Sequence, residues 1–431
     1  VVFYKGKKTI ISHGSCPVRE FQQLVSKPGA IWLDSSLSFG DRGQSSFIAC
    51  EPVLDISLQG QRVVIIEKDG RKSARIDADI FDVLESYWTD SDFFSVGYIT
   101  YESSLEFLNL KSYRDLVDIP SVRFLFYDRV RQYHHSQNKL LSNEQIFNPE
   151  PCSVKVVPTL SHDDYCNRIR QIKDHIREGD IYQANFTTRF DVHSTAKPFD
   201  VYTRLRSLNP APYSCYMNFG DYQILSSSPE RMFLKTQHHI TSCPIKGTIA
   251  RSLFPERDIK CLLESEKDRA ELLMIVDLVR NDLGRVAETG SVKVESLFRP
   301  EVYSSLIHLV SDIRAECRRD VTLTDILKAL LPGGSITGAP KQRAVEIISE
   351  LEPVPRSVYT GCIGYVYEGT ADFNIAIRTM VHHNDVYQIH TGGGIVADSD
   401  PEEEYNEMFL KAGNLLKATY ADRIETVCSK Q

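Results

Sequence analysis

Ser161-His-Asp-Asp-Tyr-Cys-Asn-Arg-Ile-Arg-Gln-Ile-Lys-Asp-His-Ile-Arg-Glu-Gly-Asp-Ile-Tyr-Gln-Ala-Asn-Phe-Thr-Thr-Arg-Phe190 changes its hydrophobic period partway along. Ser161 and Asp164 have the spacing of a capping box, in which a hydroxyl accepts from the backbone three residues on. Tyr165, Ile169, Ile172 and Ile176 then recur at helical spacing, which predicts an amphipathic helix that Gly179 ends. From Ile181 to Phe190 the period is two. Tyr182, Ala184, Phe186, Thr188 and Phe190 share one face, and Gln183, Asn185, Thr187 and Arg189 the other. A strand with four polar side chains on one face is either a solvated edge, the commoner case, or the wall of a polar pocket.

Outward from this unit the chain is mixed. Ile31-Trp-Leu33, Ser46-Phe-Ile-Ala49, Arg62-Val-Val-Ile-Ile66 and Ser95-Val-Gly-Tyr-Ile-Thr-Tyr101 are rich in β-branched and aromatic residues and read as short strands. A polar stretch from His134 to Thr159 reads as a connection. It divides the chain into an N-terminal region, 1–150, and a second region, 155–425. In the second, helices are predicted over Glu264 to Arg280 and from Pro401 to about Thr419, the latter capped by Asp400 with proline at its first position. Tyr359–Val366, Ala371–Val381 and Val386–His390 read as strands. The class is α+β with large sheets.

A net charge of −8 and a pI near 5.9 argue against nucleic acid or an anionic membrane surface as the main partner. The ten cysteines form no Cys-x-x-Cys pair, which removes the zinc-ribbon and thioredoxin spacings and suits a reducing compartment. No apolar run approaches the roughly 18–20 residues of a membrane span, and Val1-Val-Phe-Tyr-Lys5 is no secretory signal. A cytoplasmic protein is expected.

Four acids stand in pairs at helical spacing: Asp268 with Glu271, and Glu404 with Glu407, whose face continues to Lys411. They are either solvated faces, the usual state of such pairs, or the lining of one cavity. In a cavity, converging carboxylates demand a cation, and oxygen-only donors favour magnesium over zinc. Pro332-Gly-Gly-Ser-Ile-Thr-Gly-Ala-Pro-Lys341 has glycines at the separation of a phosphate loop. Ala339 stands where the lysine must be, so a P-loop is excluded. Thr391-Gly-Gly-Gly-Ile395 is either a tight turn or a place where amides reach an anion. Arg378, on a predicted strand with Asn374 and Ala376 on its face, needs an acidic partner: a substrate carboxylate or one of the glutamates. From their local sequence alone, His308 reads as a core histidine, Lys246 as an exposed lysine and Glu230 as a surface acid.

Taken in order, Gly179-Asp-Ile-Tyr-Gln-Ala-Asn185, Ser228-Pro-Glu-Arg231, Pro244-Ile-Lys-Gly-Thr248, Leu273-Met-Ile-Val-Asp-Leu-Val-Arg-Asn-Asp282, Gly333-Gly-Ser-Ile-Thr-Gly-Ala-Pro-Lys341, Ile377-Arg-Thr379 and Gly392-Gly-Gly-Ile-Val-Ala-Asp398 resemble the chorismate-utilising enzymes. That family includes anthranilate synthase component I, aminodeoxychorismate synthase component I, isochorismate synthase and salicylate synthase. The resemblance runs from about Ser161 to Lys417. It implies the anthranilate synthase component I-like fold: α+β, with two large, mostly antiparallel sheets packed face to face and helices outside.

The resemblance also implies a site. Glu271 and Glu407 would hold Mg2+, with Asp268 and Glu404 as neighbouring or water-mediated ligands, and the metal would bind one carboxylate of chorismate. Arg378, Tyr359, Lys411 and the amides of Gly392, Gly393 and Gly394 would bind the other, with Thr337 and His308 flanking the ring. Gln183 stands where water-adding members carry a lysine base. Lys246 stands where anthranilate synthases have alanine and aminodeoxychorismate synthases a lysine proposed to attack the ring, and Glu230 would be the general acid. The implied reaction is amination of chorismate at C4 to 4-amino-4-deoxychorismate, on the route to p-aminobenzoate and folate. The alternatives are anthranilate synthesis and a non-catalytic regulatory subunit. Asp34, Ser35, Ser36, Ser45, Pro212 and Tyr213 resemble the family's tryptophan pocket. Gly361-Cys-Ile-Gly364 is offset by one residue from an amidotransferase Gly-x-Cys-x-Gly, so ammonia is expected from a separate glutaminase subunit.

Overall fold

The strand foreseen at Ile181–Phe190 runs from Gln183 to Ser194 and lies inside a sheet. It is bonded to Val386–Ile395 on one side and to Val154–Pro158 and Gly338–Ala339 on the other. Its polar face is therefore not a solvated edge: Gln183, Asn185 and Thr187 are all buried. The computed structural model describes residues 8–11, 17–38, 40–76, 78–90, 92–110, 119–135, 154–302 and 306–421. Most of the connection expected at His134–Thr159 lies outside them, and its described end, Val154–Pro158, is a strand.

Among the described residues one sheet has eleven strands and the other twelve. All pairings are antiparallel except that of Lys8–Ile11 with Arg129–His134. Each sheet is continuous from the early to the late part of the chain. Ala30–Asp34 pairs with Tyr213–Asn218 in the first, and Phe94–Ile99 pairs with Cys362–Tyr367 in the second.

Three apolar cores define the layers. One, including Ile31, Phe47, Met217 and Ile224 from the first sheet and Val96, Tyr98 and Ile363 from the second, joins the sheets face to face. Another packs the outer face of the first sheet against the His162–Glu178 and Pro401–Ala418 helices through Ile169, Ile172, Met408 and Ala412. The last packs the second sheet against helix Glu266–Gly284 through Leu272, Ile275 and Val279. The helix ends follow from capping chemistry. Ser161 accepts from the Asp164 amide, Gly179 closes the helix at φ 85°, and the Asp400 carboxylate accepts from the Glu402 and Glu403 amides.

One predicted strand is two. Thr370–Asn374 belongs to the twelve-stranded sheet and Thr379–His383 to the eleven-stranded one, so residues 375–378 cross between them. Arg378 has φ 50°, a left-handed conformation that ends a strand. Thr360 at φ 61° likewise delays the strand expected from Tyr359 until Cys362.

Candidate active site

The crossing at 375–378 and the inner ends of the two acidic helices bring most of the expected residues into one region. Glu404 is buried, and its Oε1 accepts from Ser399 Oγ at 2.7 Å. Burial pushes its pKa up, the neighbouring Glu407 adds to this, and Ser399, Lys267 and Lys411 oppose it. Glu271, on the facing helix, is also raised, by burial first and then by Asp268 and Glu407 against Lys246 and Lys267. Glu407 differs. Burial acts to raise its pKa but is outweighed, chiefly by Lys411, whose Nζ lies 2.7 Å from Glu407 Oε1. The two pairs are thus not independent solvated faces: the Glu271 and Glu407 charges act on each other across two helices. Among the described residues the four carboxylates do not close to within 4.8 Å of one another as a ligand cluster, and Glu407 stays about half exposed, so they are neighbours in charge and not a formed cation site.

The glycine run is not a turn. Gly392, Gly393 and Gly394 continue the strand Val386–Ile395, opposite Thr187, Phe186 and Asn185. A Cβ at Gly393 would stand 3.2 Å from Glu404 Oε2 and 3.3 Å from Lys411 Nζ, so the bare backbone forms the floor under the acids. Lys411 Nζ also donates to the Gly392 carbonyl at 3.1 Å.

Lys246 is neither exposed nor remote. It lies on Ile245–Ala250, whose register with Leu306–Glu316 shifts between Lys246 and Thr248. The residue between, Gly247, has φ 68°, and a Cβ there would meet Asp268 at 3.1 Å. This bulge turns the strand onto the acidic helix. Burial lowers the Lys246 pKa, Lys411 adds to that, and Glu271, Glu230 and Glu407 oppose it. Glu230 is buried too, not a surface acid. Burial pushes its pKa up to about 7, with Ser335 and Lys246 pulling the other way. Among the described residues Glu230 Oε1 and Ser335 Oγ make no well-formed hydrogen bond, and both residues line a small cavity of about 20 Å³, room for roughly one water.

His308 is a core histidine and a neighbour of the lysine at once. Its Nδ1 lies 2.8 Å from Thr248 Oγ1, and burial, then Arg378 and Arg42, push its pKa down to about 3, so it is neutral near pH 7. Arg378 is at the sheet crossing and not on a strand, and its Nη1 donates to Asn209 Oδ1 at 2.8 Å. Tyr359 stacks on His390 at 5.4 Å. Thr337 Oγ1 donates to the Gly333 carbonyl at 2.9 Å, while its own carbonyl accepts from the Asn185 amide at 2.6 Å. Gln183 is buried against Gly394, and among the described residues its Oε1 has no partner.

Four of the six expected tryptophan-pocket residues, Ser35, Ser45, Pro212 and Tyr213, line a separate cavity of about 170 Å³ between the sheets. Asp34 and Ser36 do not. Asp34 is buried away from it, accepting from Arg206 Nε at 2.7 Å and Tyr202 at 3.0 Å, and Ser36 Oγ lies 2.8 Å from Ser214 Oγ. The cavity's charges come instead from Arg231, Asp41 and Asp372, with Arg231 Nη1 at 2.6 Å from Asp41.

Sequence reasoning missed Lys267, Ser335, Ser399 and Asn209, which set the charge or orientation of the residues above. Ser335 stands within the Gly333–Lys341 motif and Asn209 opens the segment that reaches Tyr213, but the contacts that make all four relevant form only on folding.

A family model described as chorismate binding enzyme matches residues 31–417. The chain is 36% identical to anthranilate synthase component 1 of Acetivibrio thermocellus, over 75% of this chain and 74% of that one. It is 35% identical to aminodeoxychorismate synthase component 1 of Escherichia coli (strain K12), over 92% and 94%. The crystal structure of anthranilate synthase component I from Streptococcus pneumoniae TIGR4 superposes with a TM-score of 0.75 at 30% identity, covering 89% of this chain and 93% of that one. The paired sheets, the acids of two helices and the half-buried lysine whose charge they act on are thus found in a chain that belongs to the chorismate binding enzyme family.

Proposed function

We propose that this chorismate-utilising enzyme aminates chorismate at C4, giving 4-amino-4-deoxychorismate, with Mg2+ as its metal and ammonia from a separate glutaminase. The observation that carries the choice is Lys246: an amine whose pKa is lowered by burial, beside an acid held near pH 7. The relatives do not make this choice, since anthranilate and aminodeoxychorismate synthases match at similar identity.

Glu271 and Glu407 are proposed to hold the magnesium, with Asp268 and Glu404 beside them. The raised pKa values of Glu271 and Glu404 favour this, because an added positive charge relieves crowded, desolvated carboxylates. Bound there, Mg2+ would neutralise the acids and take a substrate carboxylate. Lys411, now spent on Glu407, would then be free to turn toward substrate together with Arg378. Neutral Lys246 attacks ring carbon C2, the ring double bonds shift, and the C4–O bond breaks as protonated Glu230 gives its proton to the departing hydroxyl, which leaves as water. Ammonia then attacks C4, the double bonds shift back, and the C2–Nζ bond breaks. One hard displacement becomes two easier ones. The cavity bearing Tyr213 and Arg231 is proposed as the tryptophan pocket, with Asp34 and Ser36 bracing its wall.

The test is the product. With chorismate, Mg2+ and ammonium, mass analysis is expected to find a non-aromatic amino compound that keeps its enolpyruvyl group. Without ammonium, added mass is expected on the Lys246 peptide. Lys246→Ala is expected to lose both. Anthranilate with released pyruvate, or C4 amination by Lys246→Ala at the wild-type rate, would overturn the reading.

A further inference from the structure

The His162–Glu178 and Pro401–Ala418 helices also meet at their first turns, where His162, Cys166 and Glu402 converge. His162 Nε2 is 2.7 Å from Glu402 Oε2, and Cys166 Sγ is 3.8 Å both from His162 Nε2 and from Glu402 Oε1. A tetrahedral zinc ion, with bonds near 2.0 Å to nitrogen or oxygen and 2.3 Å to sulfur, separates its ligands by about 3.3 Å (N to O) and about 3.5 Å (N to S). The His162–Cys166 pair stands within about 0.3 Å of its tetrahedral edge, and Glu402 turns Oε2 to the imidazole and Oε1 to the thiol, so a small rotation of its carboxylate brings one oxygen between the two. His162 and Cys166 are one helical turn apart, so the helix itself holds their spacing.

The surroundings resemble those of a built metal centre. Asp163 Oδ1 lies 3.0 Å from His162 Nδ1, the carboxylate–histidine arrangement that leaves Nε2 to face an ion. The Tyr405 ring packs edge-on to the imidazole at 4.6 Å, and Cys166 is buried. His175, Glu178 and Asp180 also converge, but there Arg343 already supplies the cation, 3.1 Å from Asp180. Glu402 is not part of the acidic active-site set. Two residues on a helix are about 200° apart, and Glu402 is exposed where Glu404 is buried.

We propose that His162, Cys166 and Glu402 bind a divalent cation of the zinc class, with a fourth position open to water. The cation replaces the His162–Glu402 hydrogen bond, and the Cys166 thiol proton passes to solvent as Sγ becomes a coordinated thiolate. A sulfur–imidazole set selects zinc or cobalt over magnesium, so this site and the oxygen-only site take different metals. Its occupancy ties together the two helices just before Glu404 and Glu407.

The test is cobalt(II) titration of the purified full chain in excess Mg2+, read by thiolate-to-cobalt charge-transfer absorbance. One equivalent is expected to produce the band and zinc to remove it. Cys166→Ser is expected to abolish it, and His162→Ala and Glu402→Gln each to weaken cobalt affinity at least tenfold. Magnesium-dependent turnover of all three, without cobalt, is expected within twofold of wild type. No band at one equivalent, or a band that survives Cys166→Ser, overturns the proposal. Should Cys166→Ser fail to fold, unchanged cobalt affinity in both other variants overturns it.

Discussion

Lys246 and Glu230 owe their character first to burial, since neither has a local sequence that predicts an odd pKa. For Glu230 this has a consequence for stability. Its pKa rises from 4.5 in the unfolded chain to about 7 in the fold. Below pH 4.5 both states are protonated. Between 4.5 and about 7 the unfolded chain ionises while the native carboxyl stays protonated, so stability falls as pH rises across that window and levels off above about 7. The full effect is on the order of 3 kcal/mol, from the gap between 4.5 and about 7. Urea unfolding of Glu230→Gln is therefore expected to lose most of this pH dependence and to exceed wild type near pH 8, while turnover collapses. Equal slopes between pH 5 and 8 would show that the carboxyl is not so perturbed. Glu230 was legible as an acid in a family motif, but its burial beneath Ser335 was not, because Ser335 lies about a hundred residues further on.

At the scale of elements, the other helices among the described residues went unread, while the three predicted helices formed. Their caps and period are local physics, and Ser161, Gly179 and Asp400 act as their types suggest. The ends of the strands were not, because Thr360 and Arg378 take left-handed conformations that only the sheet crossing holds in place. The acidic helices were ambiguous for a physical reason: a pair on one helix face looks the same whether it meets water or another acid. Glu271→Gln and Glu407→Gln are each expected to lower kcat/KM by more than about 100-fold at limiting Mg2+, since even outer-shell changes at metal sites cost 10–100-fold. Gly393→Ala, whose Cβ would press on Glu404 and Lys411, is expected to raise the Mg2+ half-saturation about tenfold, or ~1.4 kcal/mol. Normal magnesium dependence in all three would return the acids to a solvated role. Beneath the same strand, Arg356 is buried between Glu352 at 2.7 Å and the Asn185 and Ile336 carbonyls at 2.6 and 2.8 Å. Arg356→Ala leaves Glu352 charged and unpaired and is expected to cost about 3–5 kcal/mol in urea unfolding. A loss below about 1 kcal/mol would show that the pair is not structural.

For the whole molecule, the two sheets are built from strands far apart in sequence, and the region around Lys246 needs both. One sheet supplies Gln183 and the Gly392–Gly394 floor, the other Lys246 and His308, and the segment bearing Arg378 joins them. Among the described residues no helix is long and apolar enough to cross a membrane. The proposed ammonia supply is a property of the whole chain, motivated by the absence of an amidotransferase cysteine motif. The purified chain is expected to use ammonium and fail with glutamine, with a matching glutaminase restoring glutamine use. Glutamine-dependent turnover by the chain alone would refute it.

The amino-acid sequence by itself determined the two helices with clear caps, the α+β class and, through its long ordered motifs, the family. These rest on interactions between near neighbours or on unbroken stretches of residues. Only the tertiary structure decided that Gln183, Asn185 and Thr187 are buried, that Asp34 serves Arg206 and not the cavity, and that Lys246 sits among acids from two helices. Burial and charge coupling are sums over residues that meet only in space, and no local pattern in the chain contains them.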